Sequence, residues 1–232
     1  MSANGSSRAR MLGAIRQSLQ SARHLPSPPQ VTLPPPGAAP AAPALAEQFA
    51  AELTQLSGRC LSLPAAEVAG WLLGLLRERA TTEIMAWAAS ELPVAGLHDA
   101  LTAGGIRIVD STVPPQEPAR TSALARLETV TLGLTGADAA FADTGTLALA
   151  SGPGRPRLAS LSVRTHVALL DPRRLFPSWG AWLAGDGPQA ARRLADASNL
   201  ALITGPSRTG DIEMTLTVGV HGPGEVFVVL VG

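Results

Sequence analysis

The sequence contains no lysine, no tyrosine and one cysteine, Cys60. Without lysine, the chain can form neither a Walker A loop nor a Schiff base with pyridoxal phosphate. A single thiolate excludes an iron–sulfur cluster or a Cys-rich zinc site built by this chain alone. The four histidines show no paired ligand spacing, so we expect no metal site. Every cationic contact to a ligand must therefore come from Arg or His.

The sequence also lacks an excess of either charge, since 18 Lys and Arg residues balance 18 Asp and Glu residues. The arginines are spread along the chain, which excludes the basic surface of a typical nucleic-acid-binding protein. Apolar runs end well before the roughly 20 residues needed to span a bilayer. No continuous apolar segment follows the N-terminal arginines, as a secretory signal would require. We therefore expect a cytoplasmic protein with no nucleic-acid partner and no membrane insertion.

The chain has 232 residues and 46% hydrophobic residues, enough for one domain with an appendage. Apolar residues at helical spacing predict a short amphipathic helix over residues 7–22. Residues 26–43 are Pro-rich and nearly free of large apolar side chains, which predicts an extended tether. We therefore predict an N-terminal helix and Pro-rich tether over residues 1–44 and a globular domain over residues 45–232.

Helical and strand-like patterns alternate along the globular domain. Helices are predicted over residues 65–79, 92–103, 172–184 and 188–198. Strands are predicted over residues 83–88, 106–110, 129–135, 146–150, 166–170, 200–204 and 226–231. This alternation predicts an α/β fold with a parallel or mixed sheet and helices on both faces. Ligands of such sheets bind beyond the carboxyl ends of the strands.

Three loops that follow predicted strands are candidates for a site. In the first, residues 136–146, the run Asp143-Thr-Gly-Thr146 fits an Asx-turn, and it also fits hydroxyls and an amide that line a small pocket. The second loop, residues 151–157, favours a hairpin turn with Arg155 and Arg157 solvated. In a less favoured alternative, these two arginines hold a carboxylate or phosphate.

The third loop leads from Thr204 into a segment whose period is ambiguous. A helix that begins near Asp211 is favoured by the Ser and Thr residues before it and by Gly222-Pro223, which would end it. The same segment alternates apolar with polar or small residues, as a strand does. A helix would place Glu213 and His221 on one side, whereas a strand would separate them by roughly 26 Å. We prefer the helix.

Four segments, residues 142–146, 164–166, 203–213 and 219–223, resemble the LUD domain family and within it the lactate-utilization protein C subfamily. The resemblance covers residues 80–232. It implies a fold like that of ribose-5-phosphate isomerase, glucosamine-6-phosphate deaminase and CoA transferases. It also implies a role in oxidising L-lactate to pyruvate together with two iron–sulfur partner proteins.

The resemblance and the single cysteine together predict an accessory subunit of an iron–sulfur lactate-oxidising system. We expect no cofactor on this chain, iron–sulfur clusters on its partner subunits, and a small anionic ligand. A stand-alone isomerase or acyl-CoA-type transferase on the same fold is the alternative. A purely structural assembly factor, with the N-terminal helix as its hook, is a third possibility.

The predicted site is an anion cradle of backbone amides and Arg208, flanked by carboxylates. Glu213 is the predicted general base and His221 the second candidate. The predicted ligand-binding residues are Asp143, Thr144, Gly145, Thr146, Gly205, Ser207, Arg208 and Asp211.

Overall fold

A computed structural model describes residues 4–21, 42–185, 187–210 and 216–232. The chain divides into two compact units, Met1–Pro34 and Pro35–Gly232. The described part of the first unit is one helix, α1 (Asn4–Ser21), which confirms the predicted N-terminal helix. Most of the predicted tether lies outside the described residues. The division into domains at residue 44 stays a prediction.

The second unit contains three sheets and seven helices within the described ranges. Its strands are β1 (Arg59–Leu63), β2 (Glu83–Ala86), β3 (Arg107–Ile108), β4 (Leu132–Thr135), β5 (Ala139–Phe141), β6 (Thr146–Ser151), β7 (Thr165–Leu170), β8 (Leu175–Phe176), β9 (Asn199–Ile203), β10 (Arg208–Gly210), β11 (Leu216–Val218) and β12 (Glu225–Val231). Its helices are α2 (Ala42–Gln55), α3 (Ala65–Glu78), α4 (Leu97–Ala103), α5 (Ala119–Glu128), α6 (Leu158–Leu161), α7 (Trp179–Gly185) and α8 (Gly187–Asp196), with 3-10 turns at Ala89–Glu91 and Pro172–Arg174. No helix in the described ranges has both the length and the apolar character required to cross a bilayer.

The main sheet has six parallel strands in the order β1-β12-β7-β4-β2-β3. All residues of β4 and β7 are buried, so side chains on both faces of the sheet are covered. Such continuous apolar strands are typical of parallel sheets packed between layers. The predicted α/β fold is therefore confirmed, whereas the specific likeness to ribose-5-phosphate isomerase and CoA transferases stays a prediction.

A second sheet, in the order β8-β5-β6-β9, extends from the end of β4. Antiparallel pairs join β5 to β6 and β6 to β9, while β8 runs parallel to β5. The aromatic rings of Phe141, Trp179 and Trp182 pack against one another with centroids 5.2 to 5.8 Å apart. This cluster fixes α7 against the second sheet. Strands β10 and β11 form a separate antiparallel pair.

The short helix α6 lies directly against β4 because Gly133 has no side chain. A Cβ built on Gly133 would fall 1.7 Å from the carbonyl oxygen of Ala159 in α6. A backbone atom cannot yield as the end of a flexible side chain can. The close contact therefore requires glycine at this position.

Three predicted helices are corrected by the structure. Residues 172–184 form a 3-10 turn, then β8, and only then α7, because Leu175–Phe176 pairs with β5. A helix running from Asp211 to His221 is wrong for residues 216–218, which form β11 and pair with β10. Residues 211–215 lie outside the described part. The predicted helix over 92–103 begins only at Leu97, after Gly96 adopts a left-handed conformation with φ 70°.

Candidate functional site

The carboxyl ends of β2, β4 and β7 meet at one edge of the main sheet, where two adjoining cavities form what we call the carboxyl-edge cleft. The smaller cavity has a volume of about 220 Å³ and the larger about 610 Å³. The cavities share Asp171, Arg173 and Arg174, which follow β7. Their other lining residues include Glu91, Gly136 and Ala137 in the smaller cavity and Asp138, Phe176 and Arg193 in the larger. This is the edge at which open α/β sheets bind their ligands.

Asp138, three residues beyond β4, is the most buried charged group of the cleft, with 4% of its side chain exposed. Its Oδ2 accepts a hydrogen bond from the backbone N–H of Ala150 at 2.7 Å. Its Oδ1 accepts one from Nη1 of Arg155 at 3.2 Å, and Nη1 of Arg193 lies 3.9 Å from the same oxygen. A buried carboxylate is costly unless it is paired and hydrogen-bonded. Asp138 therefore holds one arginine firmly and attracts a second.

Arg155 links Asp138 to the loop that follows β2. Its Nε is buried, lies 3.9 Å from a carboxylate oxygen of Glu91 and has no hydrogen-bond partner among the described residues. The predicted hairpin turn is present, since Gly152 and Arg155 exchange backbone hydrogen bonds of 3.2 and 2.9 Å. The expectation that Arg155 is solvated is wrong, because only 15% of its side chain is exposed. The Asp138 carboxylate draws the side chain inward.

The turn after β7 supplies the other charged groups. Arg174 donates from Nη1 to the carbonyl oxygen of Ala137 at 2.8 Å, which ties this turn to the end of β4. Arg173 is exposed and donates from Nε and Nη2 to the carboxylate of Asp171. These bonds hold the pKa of Asp171 below its usual range.

Cations outnumber anions by one in and directly behind the carboxyl-edge cleft. The arginines are Arg155, Arg173, Arg174 and Arg193, and the carboxylates are Glu91, Asp138 and Asp171. Arg193 is the least constrained of the inward-facing arginines, since its only described ionic neighbour is 3.9 Å away. This charge balance suits a ligand with one negative charge.

His166 lies in the main sheet below the end of β4 and is fully buried. Its Nε2 is 2.9 Å from the hydroxyl of Thr135, the last residue of β4, while Nδ1 has no partner among the described residues. Burial lowers the pKa of His166 to about 4. The imidazole is therefore neutral at neutral pH, and its hydrogen bond anchors the strand end that leads into the cleft.

The predicted ligand-binding residues lie elsewhere, toward the amino ends of the parallel strands. The structure brings two predicted loops together, since the hydroxyls of Thr146 and Thr204 are 2.9 Å apart. Gly145 and Gly205 have φ values of 63° and 91° and pack against the end of α2. Asp143 and Thr144 are exposed. These contacts join the loops of the predicted cradle, while ligand binding by them stays a prediction.

The remaining predicted residues divide into three groups. Arg208 donates from Nη2 to the carbonyl oxygen of Leu56 at 2.6 Å and to the hydroxyl of Ser57 at 3.0 Å, so this nitrogen is already engaged. Ser207 precedes β10 and His221 follows β11, and the two segments are joined by a backbone hydrogen bond from Gly219 to Ser207 of 2.9 Å. The predicted general base Glu213, like Asp211, lies outside the described residues. Its catalytic role stays a prediction.

Residues 219–222 border a cavity of about 370 Å³, which we call the amino-edge pocket. Its lining residues are Leu161, Ser162, Val163, Arg164, Gly219, Val220, His221 and Gly222. The pocket lies just before the first residues of β7 and β12, at the opposite edge of the main sheet from the carboxyl-edge cleft. His221 is exposed and lines this pocket together with Arg164.

Most of the charged residues of the carboxyl-edge cleft are absent from the sequence prediction. The missed residues are Glu91, Asp171, Arg173, Arg174 and Arg193, whereas Asp138 belongs to the first predicted loop, residues 136–146, but was not named as a ligand-binding residue. A signal exists for Glu91, Asp138 and Asp171, because each is the first charged residue after a parallel strand whose last residues are buried. Arg193 lies in α8 and gives no comparable signal.

The described residues offer little to hold a metal or a cluster. They contain no group of three or more His, Cys, Asp or Glu side chains close enough to bind a metal ion. Cys60 is half-buried in β1, and burial raises the pKa of its thiol to about 11. Cys60 is therefore a neutral thiol at neutral pH and a poor metal ligand.

Comparison with known proteins gives a family match and several relatives. A family model described as the LUD domain matches residues 46–231. A lactate utilization protein C from Exiguobacterium is 39% identical over 108 residues, which cover 43% of this chain and 44% of the relative. Another lactate utilization protein C, from Halalkalibacterium halodurans, is 30% identical over 149 residues, covering 64% of this chain and 62% of the relative. The match spans less than half the length of the first of these relatives.

One solved structure shows the same fold. A DUF162 family protein from Deinococcus radiodurans superposes with a TM-score of 0.56 at 18% identity, covering 83% of this chain and 99% of that chain. This likeness concerns the fold alone. The family match begins at residue 46, well before the segments that carry the resemblance in the sequence.

Proposed function

We propose, since this chain belongs to the LUD domain family, that it is an accessory, anion-binding component of an iron–sulfur system that oxidises L-lactate to pyruvate. The relatives named lactate utilization protein C support the metabolic role. These relatives match over only part of their length.

The carboxyl-edge cleft is the site that the geometry favours for a small carboxylate ligand. The observation that carries this choice is the Asp138 network, in which a buried carboxylate orients Arg155 and draws Arg193 toward the larger cavity. Arg193 keeps N–H donors free of close described partners and is one-third exposed. An arginine fork of this kind binds a carboxylate through two parallel hydrogen bonds. A single excess positive charge suits lactate or pyruvate, which are monoanions.

Electron transfer is assigned to partner subunits. The chain has one cysteine, and its pKa disfavours the thiolate that a cluster needs. The proposed division of labour places the carboxylate ligand on this chain and the iron–sulfur clusters on its partners. The alternative, a stand-alone isomerase or acyl-CoA-type transferase, rests on the resemblance of folds alone.

The residues predicted from the signature segments form a second candidate surface. Thr146 and Thr204 join the two predicted loops, and Gly145 and Gly205 fix them on α2. Glu213 lies outside the described residues and stays the proposed general base.

The test is a ligand panel on purified protein, with two neighbouring arginines of α8 compared. Arg193→Gln removes the cleft cation, whereas Arg192→Gln is its matched control, because Arg192 is exposed on the same helix and lines neither described cavity of the cleft. The panel contains L-lactate, pyruvate, sugar phosphates, CoA esters and folates. Binding is followed as a saturable rise in Tm and then by calorimetry.

We expect lactate or pyruvate to stabilise the unmodified protein and Arg193→Gln to bind it about tenfold more weakly, since a hydrogen bond to a charged group contributes about 1.5–3 kcal/mol. Arg192→Gln should bind as the unmodified protein does. Stabilisation by CoA esters or sugar phosphates alone would favour the alternative function. Equal lactate affinity in all three proteins would reject the carboxyl-edge cleft as the site.

A further inference from the structure

The amino-edge pocket is formed by two segments that precede neighbouring strands of the main sheet. Residues 161–164 lead into β7, and residues 219–222 lead toward β12. The cavity volume of about 370 Å³ falls within the range of small-ligand pockets, about 300–1,000 Å³. Since the main-sheet strands are parallel, this pocket and the carboxyl-edge cleft open at opposite edges.

Arg164 enters the amino-edge pocket from a fixed backbone. Its N–H donates to the carbonyl oxygen of Thr131 at 2.9 Å, and its own carbonyl oxygen accepts from Gly224 and Glu225 at 3.0 and 3.2 Å. Its guanidinium, by contrast, has no hydrogen bond or ion pair with any described residue. The neighbouring Arg79 is already paired with Glu225. Arg164 is therefore a positioned cation without a partner in the described chain.

The facing loop is held in place while its own donors stay free. Gly219 donates to the carbonyl oxygen of Ser207 at 2.9 Å, and Ser207 donates to that of Pro223 at 2.8 Å. A Cβ on Gly222 would lie 3.1 Å from Cβ of Ser207, so the loop packs closely on this residue. The backbone N–H groups of residues 220–222 make no hydrogen bond to a described residue. Successive free N–H groups of this kind form anion-binding concavities.

Among the described residues, the eight that line the amino-edge pocket include Arg164 and His221 but no Asp or Glu. A second cavity that Arg164 also lines differs, because Glu78 lines it while the charge of its other arginine, Arg79, is balanced by Glu225. A carboxylate in the lining repels an anion, so the amino-edge pocket is the better suited of the two cavities.

We propose that the amino-edge pocket binds a small oxyanion, a phosphate or a carboxylate group, with Arg164 as its principal cation and the loop N–H groups as additional donors. The site differs from the predicted cradle in its cation, since Arg208 already donates to Leu56 and Ser57. It is also separate from the proposed lactate site at the carboxyl-edge cleft. The two sites can therefore be tested independently.

The experiment measures binding of inorganic phosphate and, in a separate arm, of L-lactate and pyruvate to the full chain by calorimetry at constant ionic strength. Arg164→Gln removes the cation, and Arg164→Lys keeps the charge without the planar fork. Arg120→Gln on α5 is the control for loss of an exposed arginine, and Arg193→Gln reports on the other edge. An unchanged Tm in each variant without ligand shows that the fold is retained.

We expect saturable binding of phosphate, carboxylate or both, which Arg164→Gln weakens about tenfold or more and Arg164→Lys weakens less. Arg120→Gln should leave all binding unchanged, and Arg193→Gln should weaken only the separate lactate or pyruvate binding at the carboxyl-edge cleft, leaving the binding that depends on Arg164 unchanged. The arm that responds identifies the chemical source of the oxyanion. Oxyanion binding lost in Arg193→Gln but kept in Arg164→Gln would refute this site and leave the proposed function intact. The absence of saturable binding in every arm would refute the site as well.

Discussion

Replacing His166 by Gln should remove a large part of the loss of stability that the protein suffers in mild acid. The buried imidazole has a pKa of about 4 in the folded chain, caused by burial alone. In the unfolded chain, an ordinary histidine has a pKa of about 6.5. Between these two values the unfolded state binds the proton and the folded state does not, so the free energy of unfolding must fall as the pH falls.

The size of this effect follows from the difference between the two pKa values. One pKa unit corresponds to about 1.36 kcal/mol, so a difference of roughly 2.5 units amounts to about 3 kcal/mol at pH 4 and below. This is a large part of the 5–15 kcal/mol that is typical of a whole domain. Above pH 6.5 the contribution vanishes, because neither state binds the proton.

The assay is urea unfolding of the unmodified protein and of His166→Gln at intervals from pH 7.5 to pH 4. Gln keeps a polar group within reach of Thr135 but does not titrate. Carboxylates such as Asp171 titrate in both proteins, so their contribution cancels in the difference between the two curves. The difference should shift by about 3 kcal/mol in favour of the variant from pH 6.5 to pH 4. A difference that stays constant with pH would refute the assignment of a neutral, buried His166.

Two further outcomes are expected. Asp138→Asn should lower the free energy of unfolding by about 3 kcal/mol in urea titrations, because it leaves Arg155 largely buried without its main anionic partner. A change within 0.5 kcal/mol would mean that the pair contributes little to stability. Glu213→Gln should fail to restore growth on L-lactate to a strain that lacks the protein, if Glu213 is the general base, and full restoration would remove that role.

Most strands of the parallel sheet were predictable from the sequence as apolar runs bounded by turn residues, whereas β1 was not predicted. β7 and β12 were predicted to within one residue at each end. The short strands escaped prediction, since β5 and β8 have three and two residues and depend on pairing with each other. Periodicity carries no information over such lengths. The apolar pattern of the segment before His221 fitted both a helix and a strand. Residues 216–218 form a strand because β11 pairs with β10.

The candidate site was harder to predict because its members are distant in sequence. Glu91, Asp138 and Arg193 come from three different connections that only the sheet order brings together. Arg155 illustrates the physical reason. Its loop was identified as a turn, but no local pattern shows that a buried carboxylate 17 residues away would draw its side chain inward.

Because Gly133 has no side chain, it also influences the amino-edge pocket, through the position of residues 161–164 that line it. Because α6 lies directly against β4 at Gly133, this glycine sets the distance between the main sheet and the following residues, 161–164. Even one added methyl group would lift α6 and with it the wall that carries Arg164. The distance between Arg164 and residues 219–222 on the opposite wall of the pocket therefore depends on the absence of a Cβ at residue 133.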